Sequence, residues 1–349
     1  MNKRRYLAGV VSTLFVVVAL TGFAVAERPA TPPGFAQALA AQAAHTDSLL
    51  GRAGVVGTAV GVDANGYAVV KIYTESANVG GLPHSLDGVA TDVEVTGKLV
   101  AHGTGVSSGT ERLMIYRGQL YCTTGTLGAI VSDGSGVLYA LSNAHVYALE
   151  GSKPYGTVVT GASGGTGDRA LQPGRADMTG CGSQQQIDAA VIGNLWSYVP
   201  ITISRNASNT VDAAIAKLAI QTEVTTAVPG SCGGYSPATS LVGPATGLLV
   251  KKCGRTTGLT TGSVTAINAN VIISYDTGQA RFTGQVVVTG TNKSAFSDGG
   301  DSGSLIVMNT PNDPANNNKP VALLFAGSPS TTIGNPIGLV LGALGVTIK

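Results

Sequence analysis

Leu141-Ser142-Asn143-Ala144-His145-Val146 carries the only histidine in the last two-thirds of the chain, well upstream of Gly300-Asp301-Ser302-Gly303-Ser304. A nucleophilic serine needs a base to take its proton. His145 is the one candidate base for Ser302. Between the two, Val211-Asp212-Ala213-Ala214-Ile215-Ala216 sets an acid at the head of an apolar run, where a buried carboxylate can fix the tautomer and orientation of an imidazole. Asp188, in Ile187-Asp188-Ala189-Ala190-Val191, is a close echo and the competing acid, and both acids are expected at strand starts. The glycines around Ser302 allow a tight turn that aims its hydroxyl into a cleft and converges the N–H groups of Gly300 and Ser302 on one point, the place of an oxyanion. Asp301 reads as structural, buried against an amine or a polar partner. Taken alone, Gly-Asp-Ser-Gly in a chain with 49 glycines is also an ordinary β-turn; the His and Asp segments upstream, in this order, set it apart.

Composition places these motifs in a β-rich, exported protein. Charged residues make up only 11% of the chain, and Gly, Thr, Val, Ile and Ala fill much of it, as in turn-rich β folds. Lys3, Arg4 and Arg5 precede an apolar run and then Ala24-Val25-Ala26, the pattern of a signal peptide over residues 1–26; a retained membrane anchor is the competing reading. Cleavage after Ala26 leaves 18 of the 21 basic residues against 19 acidic ones, a balance that suggests no nucleic-acid partner. The expected location is secreted or periplasmic, with no stable membrane association once the signal is removed; the oligomeric state is not legible. Cys122, Cys181, Cys232 and Cys253 suit two disulfides in an exported chain better than four thiols. The four histidines are scattered with no matching Glu or Cys spacing, so neither a metal nor any other cofactor is expected.

Residues 27–120 read as a small α+β domain followed by a linker. A helix is expected over 35–50, a hairpin over 55–62 and 67–74 around Asn65-Gly66, a helical turn over 82–88, and a third strand over 90–101. His45, His84 and His102 belong to this part. Gly103-Thr104-Gly105 and Ser107-Ser108-Gly109 mark 102–121 as the linker. Beyond Cys122, short strands at regular spacing, among them 189–195, 211–218, 262–267 and 271–275, argue for barrels or a sandwich. Asn335-Pro336 reads as an N-cap with proline at the first helical position of a closing helix over 337–344.

The His, Asp and Ser segments together resemble the triad motifs of the chymotrypsin-like (trypsin-fold) serine peptidases. Asn209-Thr210-Val211-Asp212-Ala213-Ala214-Ile215-Ala216 is similar to that family's Asn-x-x-Asp-Ile-Ala-Leu segment, which favours Asp212 over Asp188. Cys253-Gly254-Arg255-Thr256-Thr257-Gly258 resembles the Gly-Arg-Thr-Thr-Gly hairpin of the streptogrisin and α-lytic group. Thr261 stands where those relatives usually have Cys, and Val146 where many family members have Cys, so a different disulfide pattern is implied; Ser304 in place of the usual second Gly is a tolerable change. A nucleophile elbow is excluded by Ser304 in its last glycine position, and a Gly-Asp-Ser-Leu hydrolase by the C-terminal place of the motif.

The resemblance implies a mainly β protein: two antiparallel six-stranded β-barrels with a C-terminal helix over residues 121–349, His145 and Asp212 on the first barrel and Ser302 on the second, preceded by the small α+β N-terminal domain. It implies a polypeptide substrate, catalysis by His145, Asp212 and Ser302, an oxyanion hole at Gly300 and Ser302, and substrate contacts at Phe296, Phe325, Ala326 and Gly327. Of the three disulfide connectivities, Cys122–Cys181 with Cys232–Cys253 is favoured, since each pair then closes a loop within one half of the catalytic region. Secreted bacterial members commonly carry pro-regions, so 27–120 is expected to be propeptide-like; a permanent accessory domain is the competing reading. A catalytically silent trypsin-fold binding protein and a secreted β-rich adhesin are the alternative functions.

Overall fold

The computed structural model describes residues 29–101, 107–110, 114–116, 119–148, 168–222 and 224–349. The expected signal segment and His102 lie outside the described residues. The expected helix forms over Phe35–Leu50 and buries Ala38, Ala41, Leu49 and Leu50 against a small sheet. Strands Val55–Val62 and Ala68–Thr74 make the hairpin. Its turn is stabilised by Asp63, whose carboxylate accepts the N–H groups of Asn65 and Tyr67, and by Gly66 at φ 83. Residues 82–88 are not a helical turn: Ser85–Leu86 pairs in a short hairpin with Val89–Val95, which runs parallel to Ala68–Thr74.

Twelve strand segments then close into two rings of antiparallel pairings. In the first, Ser107–Thr110 pairs with Arg169–Leu171, then come Val191–Tyr198, Ala214–Leu218, Leu138–Ser142 and Ala129–Ser132. The stretch running through Gly125–Thr126 into Ala129–Ser132 closes the ring on Ser107–Thr110. In the second ring Leu249–Gly254, Leu305–Met308, Pro320–Gly327, Thr332–Pro336, Gly278–Gly290 and Gly258–Tyr275 pair in order and return to the first strand. The protein is mainly β, with these two six-stranded rings and the closing helix Ile337–Leu344. Apolar residues of both rings share one core: Ile130, Ala140 and Ala216 pack with Val271, Phe282 and Phe325.

Several expectations shift in detail. The stretch read as a linker supplies strand Ser107–Thr110 to the first ring, because its small polar residues hide a short β segment. The two strands expected at 262–267 and 271–275 are one long strand, Gly258–Tyr275, with Asn268 at φ 54 and shifts of register in place of a turn. Asp188 sits not at a strand start but in helix Gln184–Ala189, which Ser183 opens with a capping box. Pro336, not Asn335, is the N-cap of the closing helix, because Asn335 is committed elsewhere.

The N-terminal sheet is continuous with the second ring. Val55–Val62 pairs antiparallel with Gly258–Tyr275, Gly57 opposite Val271. The Gln42 amide donates to the Asn268 carbonyl at 2.8 Å, and Arg281 pairs with Asp47. Gly57 is needed at this seam: a Cβ there meets Val271 Cγ1 at 2.9 Å and the Asn270 carbonyl at 3.2 Å. Gly57→Val is therefore expected to lower unfolding stability by about 1–3 kcal/mol, as a shift of one cooperative denaturant transition. Two separate transitions, only one of them moved, would contradict a shared sheet.

Candidate active site

Strand Leu138–Ser142 ends in a single helical turn, Ala144–Tyr147, and that turn presents His145. Asp212 lies two residues ahead of the neighbouring strand Ala214–Leu218 and has no exposed surface. His145 Nδ1 and Asp212 Oδ2 are 2.6 Å apart. An ionised carboxylate only accepts, so Nδ1–H donates and Nε2 is left as the acceptor on the opposite edge of the ring. The His145 backbone N–H donates to Asp212 Oδ1 at 3.1 Å, and the Tyr275 hydroxyl to Oδ2 at 2.9 Å. Asp212's own backbone is held too: its N–H donates to Asn335 Oδ1, and its carbonyl accepts from Asn143 Nδ2. Both oxygens of this buried carboxylate therefore have donors in place of water.

Ser302 arrives on the loop that precedes strand Leu305–Met308 and is wholly buried. Its carbonyl accepts the Thr126 N–H at 2.6 Å and its hydroxyl donates to the Phe325 carbonyl at 3.1 Å. Gly125 separates the Val146 side chain of the His145 turn from the Ser302 carbonyl, which a Cβ at Gly125 would meet at 3.1 Å. Gly303, at φ 92, abuts Thr126 and Ser142 with no room for a side chain. Two strands of the first ring thus seat the Ser302 loop of the second. Gly300 adopts φ 114, and among the described residues neither its N–H nor that of Ser302 has an acceptor.

Asp301 organises the loop from below. Its carboxylate accepts the N–H groups of Thr256, Thr257 and Asp298 and the Thr257 hydroxyl. Lys252 Nζ lies 3.2 Å from Oδ2, with both side chains fully buried. Burial pushes the Lys252 ammonium below the ordinary lysine range, while the Asp301 charge opposes that shift. The partner left open by the sequence is therefore this lysine, which lies next to Cys253 on Leu249–Gly254.

Other expected residues scatter. Phe296 is buried in the second ring's core with Val264 and Leu324, not facing an open cleft. Phe325 is buried against Phe282, with ring centroids 4.8 Å apart. Ala326 and Gly327 offer their backbone, and Val100–Ala101 pairs antiparallel with them, Ala101 opposite Ala326 and Val100 opposite Gly327. Asp188 is half exposed and bonds to Arg169 and Gln184; Arg169 first, then Gln184, hold its carboxyl below the usual carboxylate range. His45 pairs with Asp87. The disulfides are Cys122–Cys181 and Cys232–Cys253. Sequence reasoning missed Tyr275, Lys252, Asn335 and Asn143; a second lysine beside Cys253 in an apolar stretch is the one local signal.

The family model described as the Nal1 C-terminal domain matches residues 213–334. No curated protein matches the chain in sequence. Among solved structures, the chain is similar to a glutamic acid specific serine protease, at 19% identity and TM-score 0.41, over 69% of this chain and 99% of that one. Thermobifida fusca protease A matches at 19% and 0.40, over 69% and 97%, and Nocardiopsis protease at 15% and 0.39, over 72% and 98%.

The Lys252–Asp301 pair makes a quantitative expectation. Removing one partner strands the other charge in the interior, so Lys252→Met and Asp301→Asn should each cost about 3–5 kcal/mol in urea unfolding. The double variant should cost clearly less than the sum. Additive losses below about 1 kcal/mol each would show that the pair does not hold the loop.

Proposed function

We propose that this chain is an exported serine endopeptidase that hydrolyses polypeptides through an acyl-enzyme. Ser302 is the nucleophile and His145 the base that takes its proton and returns it to the leaving amine. Asp212 orients the imidazole, and the N–H groups of Gly300 and Ser302 receive the oxyanion. The observation that carries this reading is the 2.6 Å bond from His145 Nδ1 to the fully buried Asp212, with the Ser302 loop seated on the same ring. The edge of Pro320–Gly327 supports the substrate class: its Ala326 and Gly327 already pair antiparallel with an extended segment, the arrangement by which a strand edge takes a peptide.

That segment, Val100–Ala101, comes from the N-terminal part, and Ser302, whose hydroxyl donates to the carbonyl of the adjoining Phe325, has no exposed surface. Both facts support the part of 27–120 that precedes strand Ser107–Thr110 acting as a propeptide-like region that covers the cleft until the chain is cut within 103–106, since a later cut would take a strand from the first ring; a permanent accessory domain is the competing reading. Barrels built from non-local pairings fold slowly, which gives such a region a second use as a folding aid. A catalytically silent binding protein is the competing outcome.

The test is to export the wild type beside Ser302→Ala, Asp212→Asn and Asp188→Asn, and to measure peptide hydrolysis and the N-terminus of each product. Wild type is expected to begin between about residues 103 and 107, ahead of strand Ser107–Thr110, and Ser302→Ala at Glu27 with activity down by about a thousandfold or more. Asp212→Asn should lose about as much, and Asp188→Asn far less. Folded products of identical length with no hydrolysis by the wild type would favour the binding protein.

A further inference from the structure

Tyr275 ends the long strand Gly258–Tyr275, at the tip of its hairpin with Gly278–Gly290, about sixty residues from Asp212 in sequence and on the other ring. Its hydroxyl donates to Asp212 Oδ2 at 2.9 Å, the same oxygen that receives His145 Nδ1–H at 2.6 Å. The ring is nearly buried and stands edge-on to the His145 imidazole, with centroids 6.0 Å apart. On its other side it packs on Phe282, which packs on Phe325, whose carbonyl accepts the Ser302 hydroxyl. One row of rings therefore joins the acid, the imidazole and the strand under the serine.

A hydroxyl is required here for a reason visible in the neighbouring strand. Oδ2 is fully buried, and a carboxylate oxygen has room for a second donor. Leu324, Phe325 and Ala326 carry no side-chain donor, and the Asn335 amide is spent on Gln285. The donor comes instead from the hairpin tip.

We propose, resting on the endopeptidase reading, that Tyr275 is a positioning residue for the triad. Its hydroxyl stops the Asp212 carboxylate from rotating and drains part of the charge on Oδ2. The strength of the His145–Asp212 bond, and with it the placement of Nε2, is thereby set from the second ring. Because it acts through Asp212, its loss is expected on the chemical step and not on binding.

The experiment uses the active exported product and Tyr275→Phe, which keeps the ring and removes only the hydroxyl. The expected result is a fall in kcat of about tenfold with KM unchanged within about twofold. In proton NMR, the downfield His145 Nδ1–H resonance should move further downfield, because Oδ2 has lost its competing donor. Site-specific 3-fluorotyrosine at 275 keeps the hydroxyl and makes it a stronger donor; it should move the resonance upfield, and it covers the case of a poorly folding phenylalanine variant. Unchanged kcat with an unmoved resonance in either variant would overturn the role. A wild-type product that hydrolyses no peptide, yet whose resonance moves in both variants, would overturn the endopeptidase reading and leave the coupling of Tyr275 to Asp212 standing.

Discussion

A carboxylate with no exposed surface is the constraint around which this molecule is arranged. Burying an ionised acid is prohibitive unless donors replace its water. Asp212 recruits them from across the fold: the ring and backbone of His145 on the first ring, and the Tyr275 hydroxyl on the hairpin of the second. Asn143 and Asn335 clamp its backbone from both sides. The rings are packed in a common apolar core, but an apolar core alone leaves sliding and rotation cheap. Directional bonds to one buried anion fix the rings relative to each other to within hydrogen-bond tolerance.

A second buried anion does the same for the serine loop. Asp301 gathers three backbone N–H groups, a threonine hydroxyl and Lys252, and so ties the loop over 298–302 to the hairpin over 249–258. Because the countercharge is a side chain fixed in a strand, the loop's shape does not await a free N-terminus to supply an ammonium. The close approaches at Gly125 and Gly303 then leave no space for Cβ atoms, so the loop is wedged against the first ring as well as tied from below.

How far the sequence reveals this depends on whether the determinant is local. Helices Phe35–Leu50 and Ile337–Leu344 and the hairpin at Asn65-Gly66 are written in contiguous periodicity and turn chemistry, and they form at the expected positions. The disulfide pairing follows from loops confined to one half. His145, Asp212 and Ser302 are each marked by their own few neighbours. Tyr275 is not: nothing around Ile273-Ser274-Tyr275 says that its hydroxyl meets an acid from the other ring. Asn335 was misread for the same reason, since a cap and a distant partner make the same local pattern. Strand Ser107–Thr110 is hidden by small polar residues that pair only because the ring supplies both neighbours. Phe296 is a substrate contact by resemblance, yet it packs in the second ring's core with Val264 and Leu324.

The claim that bears most weight is that His145 and Asp212 make Ser302 nucleophilic. Reaction of the exported product with a fluorophosphonate probe, followed by peptide mass spectrometry, tests it without any knowledge of the natural substrate. The account requires one adduct, on Ser302, lost when His145 is replaced by Ala in an otherwise folded chain. A folded wild-type product that takes no adduct, or takes it on another residue, would contradict it.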